Sequence, residues 1–196
     1  MKNTLTLIVA VVCLLVSIST TSKAQLYLDN SYSADTMLMD FFNGHCATIS
    51  NVDYHGDSTM MSFFDADSTG LGVHAGIFFS SGNVHAANNP ASYWAGEQIG
   101  VNGDSSLDAL SNGYYTLDAS VVEFDLVPDT SVLSFNYVFG SEEYPEYVNS
   151  GFNDIFAFLI SGPNPAGGFY VEENIATLTN DSVVCINNVN DLTNSA

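Results

Sequence analysis

Alternating and continuous apolar runs dominate the second half of this chain. Over residues 132–139, Leu133, Phe135, Tyr137 and Phe139 share one face, while Ser134 and Asn136 share the other. That period of two predicts a half-buried strand. Residues 155–160 (IFAFLI) are apolar throughout, which predicts a strand buried on both faces. Gly162-Pro163 just after it argues against a helix there. Over residues 120–127, Val122, Phe124 and Leu126 point to a core and Glu123 and Asp125 point away from it. Shorter runs bounded by Gly, Asn and Asp predict further strands at 47–54, 60–65, 76–80, 174–178 and 182–187. The helical signal is confined to residues 33–42, capped by Ser33 and ended by Asn43-Gly44, with a second short turn at 105–110. Many short strands separated by turn residues predict a mainly β protein, a β-sandwich with a short N-terminal helix.

The first 24 residues have a different pattern. Lys2 precedes an apolar run, residues 5–18, and Ser22-Lys23-Ala24 supplies small residues for cleavage. The run is shorter than the ~20 residues of a membrane span. The pattern predicts a secretory signal over 1–24, a mature start at Gln25 and one domain over 25–196. Ala10-Val11-Val12-Cys13 lacks the small residue before cysteine that lipoprotein processing favours, so Cys13 is part of the apolar run. The expected compartment is secreted or cell-surface, with no integral membrane segment in the mature chain. Cys46 and Cys185 remain after cleavage. A bridge between them would close a long loop, worth about 4–5 kcal/mol in the chain-entropy model. Two buried free thiols are the alternative, and spacing does not choose between them.

Charge then narrows the function. Both cations, Lys2 and Lys23, lie in the leader, and all 22 Asp and Glu follow it. The mature chain therefore carries a formal charge of −22 with His neutral, and no carboxylate has a Lys or Arg of its own chain to pair with. That repulsion opposes compaction. Nucleic acid is excluded as a partner, since phosphates are neutralised by Lys and Arg. Docking on anionic lipid is disfavoured for the same reason. Nucleotide chemistry that rests on a P-loop lysine or an arginine finger is excluded too. The hydrophobic fraction of 46% separates the chain from a disordered acidic tail.

A hard cation fits this composition. Residues 140–154 join two predicted strands and hold Glu142, Glu143, Glu146, Asp154, Asn149 and Asn153, with Pro145 stopping the strand. Long connections in compact domains are more often functional. A Ca²⁺ site would relieve the crowding, with Glu142, Glu143 and Asp154 as carboxylate ligands and Asn153 as an amide ligand. The competing account is a solvated acidic loop, and no fixed Ca²⁺ motif is matched. Asp65-Ala66-Asp67-Ser68-Thr69-Gly70 imitates the start of an EF-hand loop, but Gly76 stands where the closing Glu belongs, so it is read as a turn. The histidines His45, His55, His74 and His85 show no zinc spacing. Tyr93-Trp94 would suit sugar stacking, but the plainer account is a buried aromatic anchor.

Several segments together resemble the choice-of-anchor L domain of bacterial surface proteins. They are ISNVDYHGD at 49–57, GLGVHAGIFFSSG at 70–82, GDSSLDAL at 103–110, LDASVVEFDLVP at 117–128, LSFNYVFGSEEYPEYVNSGFNDIFAFLISGP at 133–163, and NIATL with VCINNVN at 174–190. The resemblance implies surface display and adhesion on Bacteroidetes-like cells, and no established enzymatic activity or settled ligand. It places any family-wide site at 139–144 and 152–154. Such domains usually continue past the Ile-Asn-Asn-Val-Asn element, whereas here Ala196 follows six residues later. The expectation is therefore a chain lacking its final strands, with an open sheet edge. The leading function is a non-enzymatic exported surface domain for adhesion or attachment, stabilised by Ca²⁺, with a glycan or protein ligand. The alternatives are a carbohydrate-binding module using Tyr93-Trp94, or a two-carboxylate glycoside hydrolase. The second has little support, because so many acids make some pair inevitable.

Overall fold

A computed structural model describes residues 25–42, 47–90 and 98–194. In chain order the elements are β1 (Tyr27–Asp29), α1 (Ala34–Phe42), β2 (Ala47–His55), β3 (Met61–Asp65), β4 (Ala75–Phe79), a 3₁₀ turn (Val84–Asn88), α2 (Ser105–Leu110), β5 (Val121–Pro128), β6 (Ile155–Phe156), β7 (Leu159–Pro163), β8 (Phe169–Asn174) and β9 (Val184–Cys185). All ladders are antiparallel. One sheet has the order β1-β3-β4, and β2-β5, β6-β9 and β7-β8 form separate pairs. The protein is mainly β and sandwich-like, with sheets that do not close. Among the described residues, no helix is long and apolar enough to cross a membrane.

The core forms where α1 packs on β2. Met37 and Leu38 from the helix meet Ile49 of β2 and Met61 of β3. Phe63, Ile77, Phe79, Val122, Phe124 and Leu126 pack around them, so β5 turns its predicted face inward. Glu123 and Asp125 are exposed on the other face. Ser33 begins α1 as expected: the Met37 amide donates to its carbonyl at 2.9 Å. In β2 the inward positions change from Ala47 and Ile49 to Val52 and Tyr54. The register shift between Ser50 and Asp53 accounts for the change. Asn51 occupies this bulge at φ 53°, a left-handed conformation that Asn tolerates better than most residues.

Three expected strands differ from those observed. Residues 132–139 form no ladder, and Val132, Leu133, Phe135, Tyr137 and Val138 are exposed. What covers this segment is aromatic: Phe135 stacks on Phe158 at 4.3 Å and Tyr137 lies 5.1 Å from Phe156. Residues 155–160 are half-buried and are split between β6 and β7 instead of being buried on both faces. Among the described residues each of those strands has one bonded neighbour, so neither lies in the interior of a sheet. The strand expected at 174–178 lies earlier, as β8, and Thr177 makes only an isolated bridge to Val183. β8 follows the positive-φ pair Gly167 and Gly168, which turns the chain back on β7.

Candidate functional site

The acidic connection is built from local turns. Tyr147 N–H donates to the Glu143 carbonyl at 3.0 Å, and Ser150 N–H donates to that of Tyr147 at 2.9 Å. The Tyr144–Pro145 bond is cis, and Asn149 sits at φ 61°. Two asparagines tie the connection to the segment after β9. Asn149 N–H donates to Asn187 Oδ1, and Asn187 N–H donates to Asn153 Oδ1 at 3.0 Å. The amide oxygen of Asn153, a candidate ligand, is thus engaged by backbone. Ile186 N–H donates to the Asp154 carbonyl at 3.1 Å, which anchors the end of the connection beside β9.

Of the four acids, the structure brings three into electrostatic contact. Burial raises the Glu143 carboxyl above the ordinary carboxylate range, and the charges of Asp154 and Glu146 raise it further. Asp154 is raised as well, by the protein packed around it, although its side chain keeps contact with solvent and is screened there. Glu142 is exposed. Tyr144 Oη is buried without a hydrogen-bond partner, and burial raises its pKa, with smaller contributions from Cys185 and Asp154. Among the described residues, no three His, Cys, Asp or Glu side chains converge into a group that could hold a metal ion. The acids crowd without forming a finished cage.

The other sequence candidates are placed as follows. The turn over Asp65–Gly70 is a hairpin loop between β3 and β4. Asp65 Oδ1 accepts from Asp67 N–H at 2.9 Å, and Asp67 Oδ1 lies 2.7 Å from His74 Nδ1. That side-chain chemistry belongs to a turn, as expected. Cys185 is buried in β9 at 3% exposure, while Cys46, His45 and Tyr93-Trp94 lie outside the described residues, as does the segment 1–24 expected to be a leader.

Two polar arrangements were not singled out from sequence. On the outer face of the β2–β5 ladder, Asp53 lies opposite Glu123, and His55 Nε2 sits 3.5 Å from Asp53 and 3.8 Å from Glu123. The signal was the alternation of Asp53 and His55 on one strand face. In the loop after residue 98, the buried Asp118 carboxylate accepts from the amides of Gly100 at 2.6 Å, Val101 at 2.7 Å and Ile99 at 3.3 Å. Asp104 caps α2 by accepting from Ser106 and Leu107 N–H, and Asp108 Oδ1 accepts from the Thr116 amide and hydroxyl. A Cβ on Gly103 would lie 1.9 Å from the Thr116 carbonyl oxygen, so the close approach requires glycine. These carboxylates organise backbone and are already satisfied.

The family model described as the choice-of-anchor L domain matches residues 23–196. Comparison with curated proteins and with solved structures gives no match.

Proposed function

The chain belongs to the choice-of-anchor L family, a family of cell-surface-associated domains, and from that premise we propose that it is an exported, non-enzymatic domain for attachment or adhesion, stabilised by Ca²⁺. Residues 1–24 would serve as the leader, and the mature domain would begin at Gln25. The supporting observation is the crowding of Glu143, Glu146 and Asp154 in a chain whose only cations, Lys2 and Lys23, precede that start. A divalent ion drawn between Glu143 and Asp154, with Glu142 completing its shell alongside water, would replace that repulsion with attraction. Since the acids do not converge beforehand, binding would have to draw the connection together. Binding to the native state alone stabilises it by mass action, about 2.7 kcal/mol at a hundredfold excess over Kd.

The experiment is thermal melting of secreted protein in Ca²⁺, Mg²⁺ and NaCl of matched ionic strength, for wild type and for Glu143→Gln with Asp154→Asn. Ca²⁺ should raise the wild-type Tm beyond matched NaCl, and the double variant should lose that excess. Equal melting in Ca²⁺ and NaCl would remove the ion from the proposal and leave a salt-screened acidic surface. The attachment role is tested separately, by comparing adhesion of cells with and without the protein. Intact mass of the secreted chain checks the start at Gln25.

A further inference from the structure

A cavity of about 470 Å³ opens where β2 ends and β5 begins, with residues 101–104 as one wall. Small-molecule sites fall in the range of about 300–1,000 Å³. Val101, Ala119 and Val121 share the lining with His55, Asn102 and Asp104. The three polar side chains offer both halves of a hydrogen bond: amide and imidazole donate and accept, and carboxylate accepts. Asp104 gives Oδ1 to the amides of Ser106 and Leu107, and neither uses Oδ2. Asn102 is exposed and serves the fold through its backbone. Its carbonyl accepts from Ala119 N–H at 3.2 Å, and it bridges Leu117. His55 is oriented through Nε2 by Asp53 and Glu123.

Loops are ordinarily the mobile part of a fold, yet this wall is fixed from behind. Asp118 holds the amides of residues 99–101, and its own N–H donates to the Val101 carbonyl at 3.0 Å. Thr116 Oγ1 accepts from Asp104 N–H at 2.9 Å, and Asp108 holds Thr116 in turn. Three carboxylates therefore order one loop in a chain already crowded with 22 acids. Order of that kind lowers the entropy cost of taking a ligand. Next in the chain to Thr116, Tyr115 is 88% exposed, a flat apolar face on the same loop.

We propose that this cavity binds an uncharged sugar chain, with Asn102, Asp104 and His55 bonding its hydroxyls and Tyr115 taking a sugar ring at the rim. A hydroxyl both donates and accepts, which matches the mixed lining. A lysine side chain only donates and would leave the Asn102 amide donors without a partner. Asp104, with Asp53 and Glu123 beside His55, repels acidic sugars. The lining includes no residue of the 140–154 connection, so the site is separate from the Ca²⁺ reading. It supplies a ligand class for attachment without depending on that role.

The test titrates the purified full chain with cellotriose, mannotriose and chitotriose as uncharged probes, trigalacturonate as the acidic probe and tetralysine as the cationic peptide. Calorimetry reads affinity and amide NMR reads location. At least one uncharged trisaccharide should bind, with shifts at 101–104 and 116–119. Asn102→Ala and Tyr115→Ala should each weaken that binding by about tenfold or more, at unchanged Tm. Should Asn102→Ala lose the fold, Tyr115→Ala decides alone. The proposal is overturned if no uncharged sugar binds, if trigalacturonate or tetralysine binds as tightly, or if the folded variants bind as wild type does. Adhesion of cells is read separately, so a failed titration leaves the attachment proposal standing, and failed adhesion leaves the titration standing.

Discussion

Asp118 takes three backbone amides onto one buried carboxylate and adopts φ 49°. Alanine there would strand those donors and also disfavour the left-handed backbone. Asp118→Ala should destabilise the protein by about 2–4 kcal/mol, from hydrogen bonds to a charged group plus the strain. Asp118→Asn keeps the tolerated backbone and one acceptor, so its loss should be smaller. Urea midpoints for the two variants give the comparison. Asp154 acts in the opposite sense. Its folded-state carboxyl is raised, so the native state binds more protons than the unfolded chain between the ordinary and the raised pKa. Stability from this group therefore falls as pH rises through that window. Asp154→Asn should raise the Tm at pH 7 and flatten its dependence on pH between there and mild acid. A steeper dependence in the variant would contradict the assignment. Asp29 and Asp57 are lowered by hydrogen bonds from Ser31 and Thr59, so their contribution runs the other way and is lost as pH falls.

At the scale of elements, capping sets the edges of the short helix α2. Asp104 accepts from two orphan amides of its first turn. Asp104→Ala should cost about 1 kcal/mol, read as a lower denaturation midpoint with local loss of protection over 105–110. How much of the architecture was legible depended on burial. β5 could be read from sequence because Val122, Phe124 and Leu126 alternate with acids and one face meets the core. α1 was legible through Ser33 and the apolar pair Met37-Leu38. β1 and the start of β8 were not. Tyr27 is 67% exposed, and Phe169 and Val171 are 75% and 80% exposed, so hydropathy carries no burial signal there; β1 takes its register from the distant strand β3 and β8 from the local turn back onto β7. The reverse held for 132–139, where a clean alternation meets no bonded edge. The acids of the connection were visible in the sequence. The crowding of Asp154 and Glu146 beside Glu143 comes from the path of the connection, and the commitment of Asn153 to Asn187 from the return of the chain after β9, neither of which a local pattern encodes.

The whole molecule carries the charge as a distributed load. With 22 acids and no balancing Lys or Arg after Lys23, stability should rise with salt even without a specific site. Melting in about 1 M NaCl should exceed melting in about 0.01 M NaCl, where the screening length falls from about 30 Å to 3 Å. A flat response would mean that the acids are too dispersed to oppose folding. The ladders also differ in length: seven residue pairs join β2 to β5, but only two join β6 to β9. For the attachment role proposed above, that inequality has a mechanical meaning. Pulled from its ends, such a chain should yield in stages. The β6–β9 contact would part first and release slack at low force, while the β2–β5 ladder, backed by α1, would hold until last. Force spectroscopy should record a small early extension followed by a larger, later rupture. In the proposed role, such a chain would give way gradually under a tug and keep its grip through brief peaks in load.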